Sequence, residues 1–228
     1  MKTIGLIGGM GWQSTLEYYR IINETTLSRT GNGHAAKIII DSLDFGEVED
    51  LIHRNDFAGL TTMLVHSARK LELAGAELLL IGANTMHFVA PEVSRNVSIP
   101  LVHIVDVTIE KIREKGLSKV GLLGTKFTME QDFFKQRLMQ HGIKAIVPEL
   151  VERAFIHRTI FTELFIGKIN PVSKTRFLKI IGSLIEGGAQ GIILGCTEIP
   201  MLIKQDDCPV PVFDTTLIHS VAAVDLAK

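Results

Sequence analysis

A thiol stands where an apolar run should end. Residues Gly191-Ile192-Ile193-Leu194 read as a buried parallel strand. Gly195 breaks the run, Cys196 follows, and Thr197-Glu198 opens a short helix. Open α/β sheets gather ligands at the carboxyl ends of their strands. A thiol facing the positive end of the next helix is biased toward thiolate. The other reading is a buried structural cysteine, because free cysteine is among the most buried residue types. A second stretch has the same layout. Leu78-Leu79-Leu80-Ile81 leads to Gly82, then Ala83, then Asn84-Thr85 at a helix start. Ala83 there matches Cys196.

The elements that carry these residues repeat. Ile4-Gly5-Leu6-Ile7-Gly8 echoes Val120-Gly121-Leu122-Leu123-Gly124, and Ile99-Pro100-Leu101-Val102 echoes Val210-Pro211-Val212-Phe213. With the Ala83 and Cys196 pair, three echoes occur in one order at nearly constant spacing. That is the signature of a duplicated α/β unit. A chain of 228 residues is long enough for one domain or two small ones. Its 46% hydrophobic and 21% charged residues suit a globular protein. A formal net charge of −1, without blocks of like charge, points to neither nucleic acid nor membrane as a partner. No apolar run is long enough for a bilayer. The amino terminus enters a strand directly, so a cytoplasmic location is expected. Cys196 and Cys208 are not expected to form a disulfide in such a compartment, and without a histidine cluster they make a poor zinc site.

Taken in order, residues 3–7 form a strand, and Gly8-Gly9-Met10-Gly11 turns. A helix over 15–27 follows, with Leu16, Tyr19, Ile22 and Thr26 on one face and Ser14-Glu17 at capping-box spacing. The glycines miss the dinucleotide fingerprint because Ser14 stands where the third glycine belongs. The turn either offers backbone N–H groups to a small anion or is a tight turn with no ligand. Residues 36–40 form the next strand. Asp41 or Ser42 could line a site, whereas Asp44 suits an N-cap. A helix over 56–74 turns Leu60, Met63, Leu64, Ser67 and Leu71 inward. His87 is either a general acid or a locally bonded packing residue. A strand over 101–105 ends at Asp106, and a helix covers 107–115. The second half runs as strand 119–123, a turn with Thr128 and Gln131 at capping-box spacing, a helix to about 140 and a strand over 143–147. A helix over 151–166 is closed by Gly167-Lys168. Asn170-Pro171 starts a helix over 172–186. Strand 210–213 and helix 217–228 complete the chain. Lys168 either holds a carboxylate or complements a helix C-terminus.

Together these segments resemble one family, the pyridoxal-phosphate-independent aspartate/glutamate racemases. The matching residues are Gly5 to Gly11, Ser42-Leu43-Asp44-Phe45, Asn84-Thr85-Met86-His87, Gly121 to Thr125 with Phe127-Thr128-Met129-Glu130, Gly195-Cys196-Thr197-Glu198, and Pro211 to Thr215. The resemblance implies an α/β fold of two similar domains related by a pseudo-two-fold axis. Each would have a parallel sheet flanked by helices, with the active site in the cleft between them. The expected division is 1–100 plus 212–228 for the first domain and 101–211 for the second. The resemblance also implies a homodimer, an acidic amino acid as substrate, and no cofactor or metal. Two thiols would flank the substrate α-carbon. One maps onto Cys196, and the other position is Ala83. Met10, Asn84, Thr85, Thr125, Lys168, Thr197 and Glu198 are the implied substrate contacts, and Arg54 is a further candidate cation.

Racemisation removes the α-proton from one face and returns a proton to the other. A thiol suits that work because its pKa, near 8.5, responds to its neighbours. Donors around the α-carboxylate stabilise the carbanion. Glu198 either takes a proton from Cys196 or caps the short helix. Ala83 has no proton to exchange, which leaves three outcomes open. Foremost, water or Thr85 serves that face in a natural racemase. Alternatively, a Cys→Ala or Thr→Ala replacement holds substrate without turnover. The third outcome is a one-thiol decarboxylase or isomerase. A dicarboxylate-binding protein is the non-enzymatic counterpart.

Overall fold

The computed structural model describes residues 1–31 and 33–228. The chain divides into two compact units, Met1–His103 with His219–Lys228, and Ile104–Ile218.

In the first unit β1 (Ile4–Gly8) is buried at every position. It is followed by α1 (Trp12–Thr30), β2 (Ile38–Ser42), α2 (Phe45–His53), α3 (Phe57–Leu73) and β3 (Leu78–Ile81). A 3-10 turn (Thr85–Val89) and α4 (Ala90–Arg95) come next. The sheet order is β2-β1-β3, all parallel. Buried leucines and isoleucines without alternation are what a parallel strand covered on both faces requires. The core gathers Ile7, Leu60, Leu64, Leu71, Leu79 and Ile81 under α3. Asp44 and Asp56 cap α2 and α3, accepting from the N–H groups of Gly46 and Gly59.

The second unit holds α5 (Ile104–Glu114), β4 (Lys119–Gly124), α6 (Lys126–Glu130), α7 (Asp132–Gln140), β5 (Lys144–Ile146) and α8 (Leu150–Thr162). Then come α9 (Pro171–Glu186), β6 (Ile192–Gly195), α10 (Ile199–Leu202) and β7 (Val212–Asp214). The last helix, α11 (Thr215–Leu226), starts in this unit and ends in the first. The sheet order is β5-β4-β6-β7, all parallel.

The duplication is visible in strand order, because β2-β1-β3 and β5-β4-β6 are the same arrangement. The third echo is also structural. Pro100 O accepts from Leu79 N at 2.9 Å, and Pro211 O accepts from Ile192 N at 2.9 Å.

Five expectations are corrected. The strand over 101–105 is a single bridge from Leu101 to Leu79, because α5 already begins at Ile104. Residues 212–218 lie with the second unit, since β7 hydrogen-bonds β6. The inner face of α1 is Ser14, Tyr18, Ile21, Ile22 and Thr26, while Leu16 and Tyr19 are 56% and 50% exposed. The helix starts at Trp12 with Gly11 as N-cap, so Ser14 and Glu17 form no capping box. Finally, α6 is capped by Thr125, whose Oγ1 accepts from Thr128 N, and not by Thr128 itself. Among the described residues, no helix is long and apolar enough to cross a membrane.

Candidate active site

In the second unit the candidate residues meet at two neighbouring strand ends. Gly124 and Gly195 are register partners across β4 and β6. A Cβ on Gly124 would lie 2.9 Å from Gly195 O, and one on Gly195 would lie 2.9 Å from Leu123 O. Glycine at both positions lets the strands stay paired to their last residue. Thr125 and Cys196 follow directly and are both half-buried.

The Cys196 thiol donates to Glu198 Oε2 at 2.9 Å, and the Thr197 hydroxyl donates to the same oxygen at 2.8 Å. Glu198 is 4% exposed, so its carboxylate is committed to this cluster. Its side chain does not cap α10. Burial, followed by the negative charge of Glu198, pushes the Cys196 thiol well above its ordinary pKa. The N–H groups of Thr197 and Glu198 pull the other way and are outweighed. The expected bias toward thiolate is therefore reversed. Helix α10 spans four residues, too short for a substantial dipole. Cys196 rests as a neutral thiol beside an acceptor that can take its proton.

Lys168 lies on an exposed loop after a 3-10 turn (Leu164–Ile166), with its backbone N–H donating to Glu163 O at 2.9 Å. Its ammonium makes no ion pair among the described residues. Cys208 is a buried member of the core. Both cysteines are free thiols.

The first unit has a matching convergence. Gly82 N donates to Ile7 O at 2.8 Å, and Leu43 N donates to Gly8 O at 3.0 Å, so all three strand ends stay together. Gly9 has φ +86, and a side chain there would collide with the Leu43 backbone. Its N–H is already donated to Thr15 Oγ1 at 2.8 Å, which takes that group from any anion. Met10 is buried against the core, Ala83 and Thr85 are half-buried, and Asn84 is 5% exposed. Arg54 pairs with Asp50 at 3.2 Å on the surface, and Asp41 pairs with Lys70 at 3.6 Å.

His87 does more than pack. Its Nδ1 lies 2.8 Å from Ala83 O, and its ring meets those of His103 and His219. Sequence reasoning missed His103, His219 and their neighbour Tyr18. They come from distant parts of the chain, and the only local signal was a histidine within the largely apolar run of α11.

The family model described as Asp/Glu/Hydantoin racemase matches residues 7–223. A crystal structure of a candidate Asp/Glu racemase from Yersinia pestis is 45% identical, with a TM-score of 0.94, covering 100% of this chain and 99% of that one. An aspartate racemase homologue from Pyrococcus horikoshii OT3 is 38% identical, with a TM-score of 0.89 and the same coverage. The broad specificity amino-acid racemase RacX of Bacillus subtilis is 25% identical over 154 residues, which are 67% of this chain and 66% of that protein. The match therefore takes in just under two thirds of RacX.

Proposed function

The chain belongs to the Asp/Glu/hydantoin racemase family, a family of isomerases, and we propose that it exchanges the α-proton of aspartate or glutamate through a single thiol. One observation carries the proposal: the Cys196 Sγ–H at a strand end, hydrogen-bonded to the carboxylate of Glu198. The forward step is a double proton shift. Glu198 accepts the Sγ proton, and the sulfur takes the α-proton with its freed electron pair. The C–H electron pair moves into the substrate's α-carboxylate as the carbon flattens. Return of a proton from sulfur reverses the step. Carboxylate donors would come from Asn84, Thr85, Thr125 and Thr197, with Met10 shaping the pocket and Lys168 holding the side-chain carboxylate. No cofactor is required for this chemistry.

Ala83 has no proton to exchange, so net inversion depends on water or Thr85 and is slow. As the family resemblance implies, the protein works as a homodimer. The outward apolar residues Trp12, Leu16 and Tyr19 support that assembly.

The test is α-deuterium incorporation into each enantiomer in deuterated water, followed by NMR. One enantiomer should exchange while little of the other forms, and Cys196→Ala should abolish exchange. Ala83→Cys should speed inversion strongly. Fast, equal conversion of both enantiomers by the unaltered chain would refute the one-thiol scheme. Absence of exchange from either enantiomer would leave a binding protein.

A further inference from the structure

Four rings of the first unit meet at one place. Tyr18 comes from α1, His87 from the turn after β3, His103 from the segment ahead of α5 and His219 from α11. Tyr18, His87 and His219 are buried and His103 is half-buried. His103 is the residue at which the chain leaves this unit, and His219 is the residue at which it returns.

The partners fix the protons. A carbonyl can only accept, so His219 Nε2 carries the hydrogen toward Val102 O at 2.8 Å. His219 Nδ1 is then the acceptor, and the Tyr18 hydroxyl donates to it at 2.8 Å. By the same rule His87 Nδ1 carries the hydrogen toward Ala83 O at 2.8 Å. The His87 ring lies edge-on to His103 at 4.8 Å and to His219 at 5.5 Å. His219 and His87 thus carry hydrogen toward main-chain carbonyls from opposite ring nitrogens, Nε2 in one and Nδ1 in the other.

The Ala83 carbonyl lies where β3 gives way to the Asn84-Thr85 turn. The backbone N–H of His87 already donates to Asn84 O at 3.1 Å. Its side chain takes the carbonyl one residue earlier. One residue therefore holds the carbonyls of both peptide groups that flank the Asn84 α-carbon.

We propose that His87 is a positioning residue for the substrate-binding turn Asn84-Thr85, held in its working rotamer and tautomer by the Tyr18–His219–Val102 chain beside it. This deepens, and rests on, the racemase assignment of that turn. Burial keeps His219 neutral, with its pKa lowered to about 4. The titratable groups placed against it are Tyr18, His87 and His103.

Two measurements test this. In histidine labelled with nitrogen-15, long-range proton–nitrogen correlation should show His219 as the Nε2–H tautomer and His87 as the Nδ1–H tautomer. The reverse tautomer at either position would overturn the proposal. The second measurement compares His87→Ala with His87→Asn in the α-deuterium assay. Asn23 and Asn96 each donate to the carbonyl four residues back, at 2.8 and 2.9 Å, so asparagine has the reach to replace the imidazole bond. His87→Ala should slow exchange by about tenfold, the scale of one hydrogen bond, mostly through KM for the substrate. His87→Asn should recover most of that loss. Equal loss in both variants, or no loss in either, would overturn it. The NMR readout needs no turnover, so a chain that exchanged nothing would refute the racemase assignment while the tautomers still decided whether the His87 bond exists.

Discussion

Cys196 is surrounded by groups with opposed effects, and the balance decides what its sulfur can do. Burial and the Glu198 carboxylate hold the proton on, while two backbone N–H groups work against them. A neutral thiol is ready to donate, and it becomes a base only when Glu198 accepts its proton. Glu198→Gln removes the charge that raises the thiol pKa. Iodoacetamide should then alkylate Cys196 faster near neutral pH than in the unaltered chain, while α-proton exchange falls by about 10²-fold, the scale of a lost general base. Slower or unchanged alkylation would show that Glu198 does not hold the proton in place. The thiol itself was legible in the sequence, because a glycine and a cysteine at the end of an apolar run are local signals. Its protonation state was not. That depends on a carboxylate two residues away turning back toward sulfur rather than toward the helix that follows.

The strands and helices were legible where one periodicity ruled. β1, β3 and β6 are uninterrupted apolar runs, as is β4 after Lys119, and their repeat exposed the duplication. Misplacement came where two preferences competed. Leu101 to Val105 looks like a strand, but helix formation takes the chain from Ile104 onward. On α1 the apolar residues Leu16 and Tyr19 resemble a core stripe, yet the buried stripe includes Ser14 and Thr26. Tyr18 belongs there because its hydroxyl finds a partner in His219.

The close approach of β4 and β6 gives an element-scale prediction. Gly195→Ala places a methyl 2.9 Å from Leu123 O, so backbone must shift at a cost of about 1–3 kcal/mol. Gly182→Ala in α9 meets nothing within 4 Å and should stabilise by about 0.5–1 kcal/mol. Urea midpoints of the two variants should move in opposite directions. A Gly195→Ala midpoint equal to that of the unaltered chain would show that the strand ends have room to spare.

For the molecule as a whole, acid is the informative stress. His219 has a folded pKa of about 4 against an ordinary 6.5, so the unfolded chain binds its proton first as pH falls. Its contribution is complete above pH 6.5 and is lost progressively toward pH 4, by about 3 kcal/mol in total. Denaturant unfolding followed across that range should show the decline, and His219→Gln should flatten it. An unchanged slope in the variant would assign acid sensitivity to other groups. The two-unit organisation could be anticipated from the three echoes. The meeting of Tyr18, His87, His103 and His219 could not, because no sequence pattern links a first helix to a last one.

Trp12 is the chain's single tryptophan, and it sits 60% exposed at the start of α1, one residue after the Gly8-to-Gly11 turn. The indole therefore serves as a built-in fluorescent reporter for one patch of surface, with no second indole to disentangle. Its colour tracks whether that patch is wet or covered, and no dye or label has to be attached.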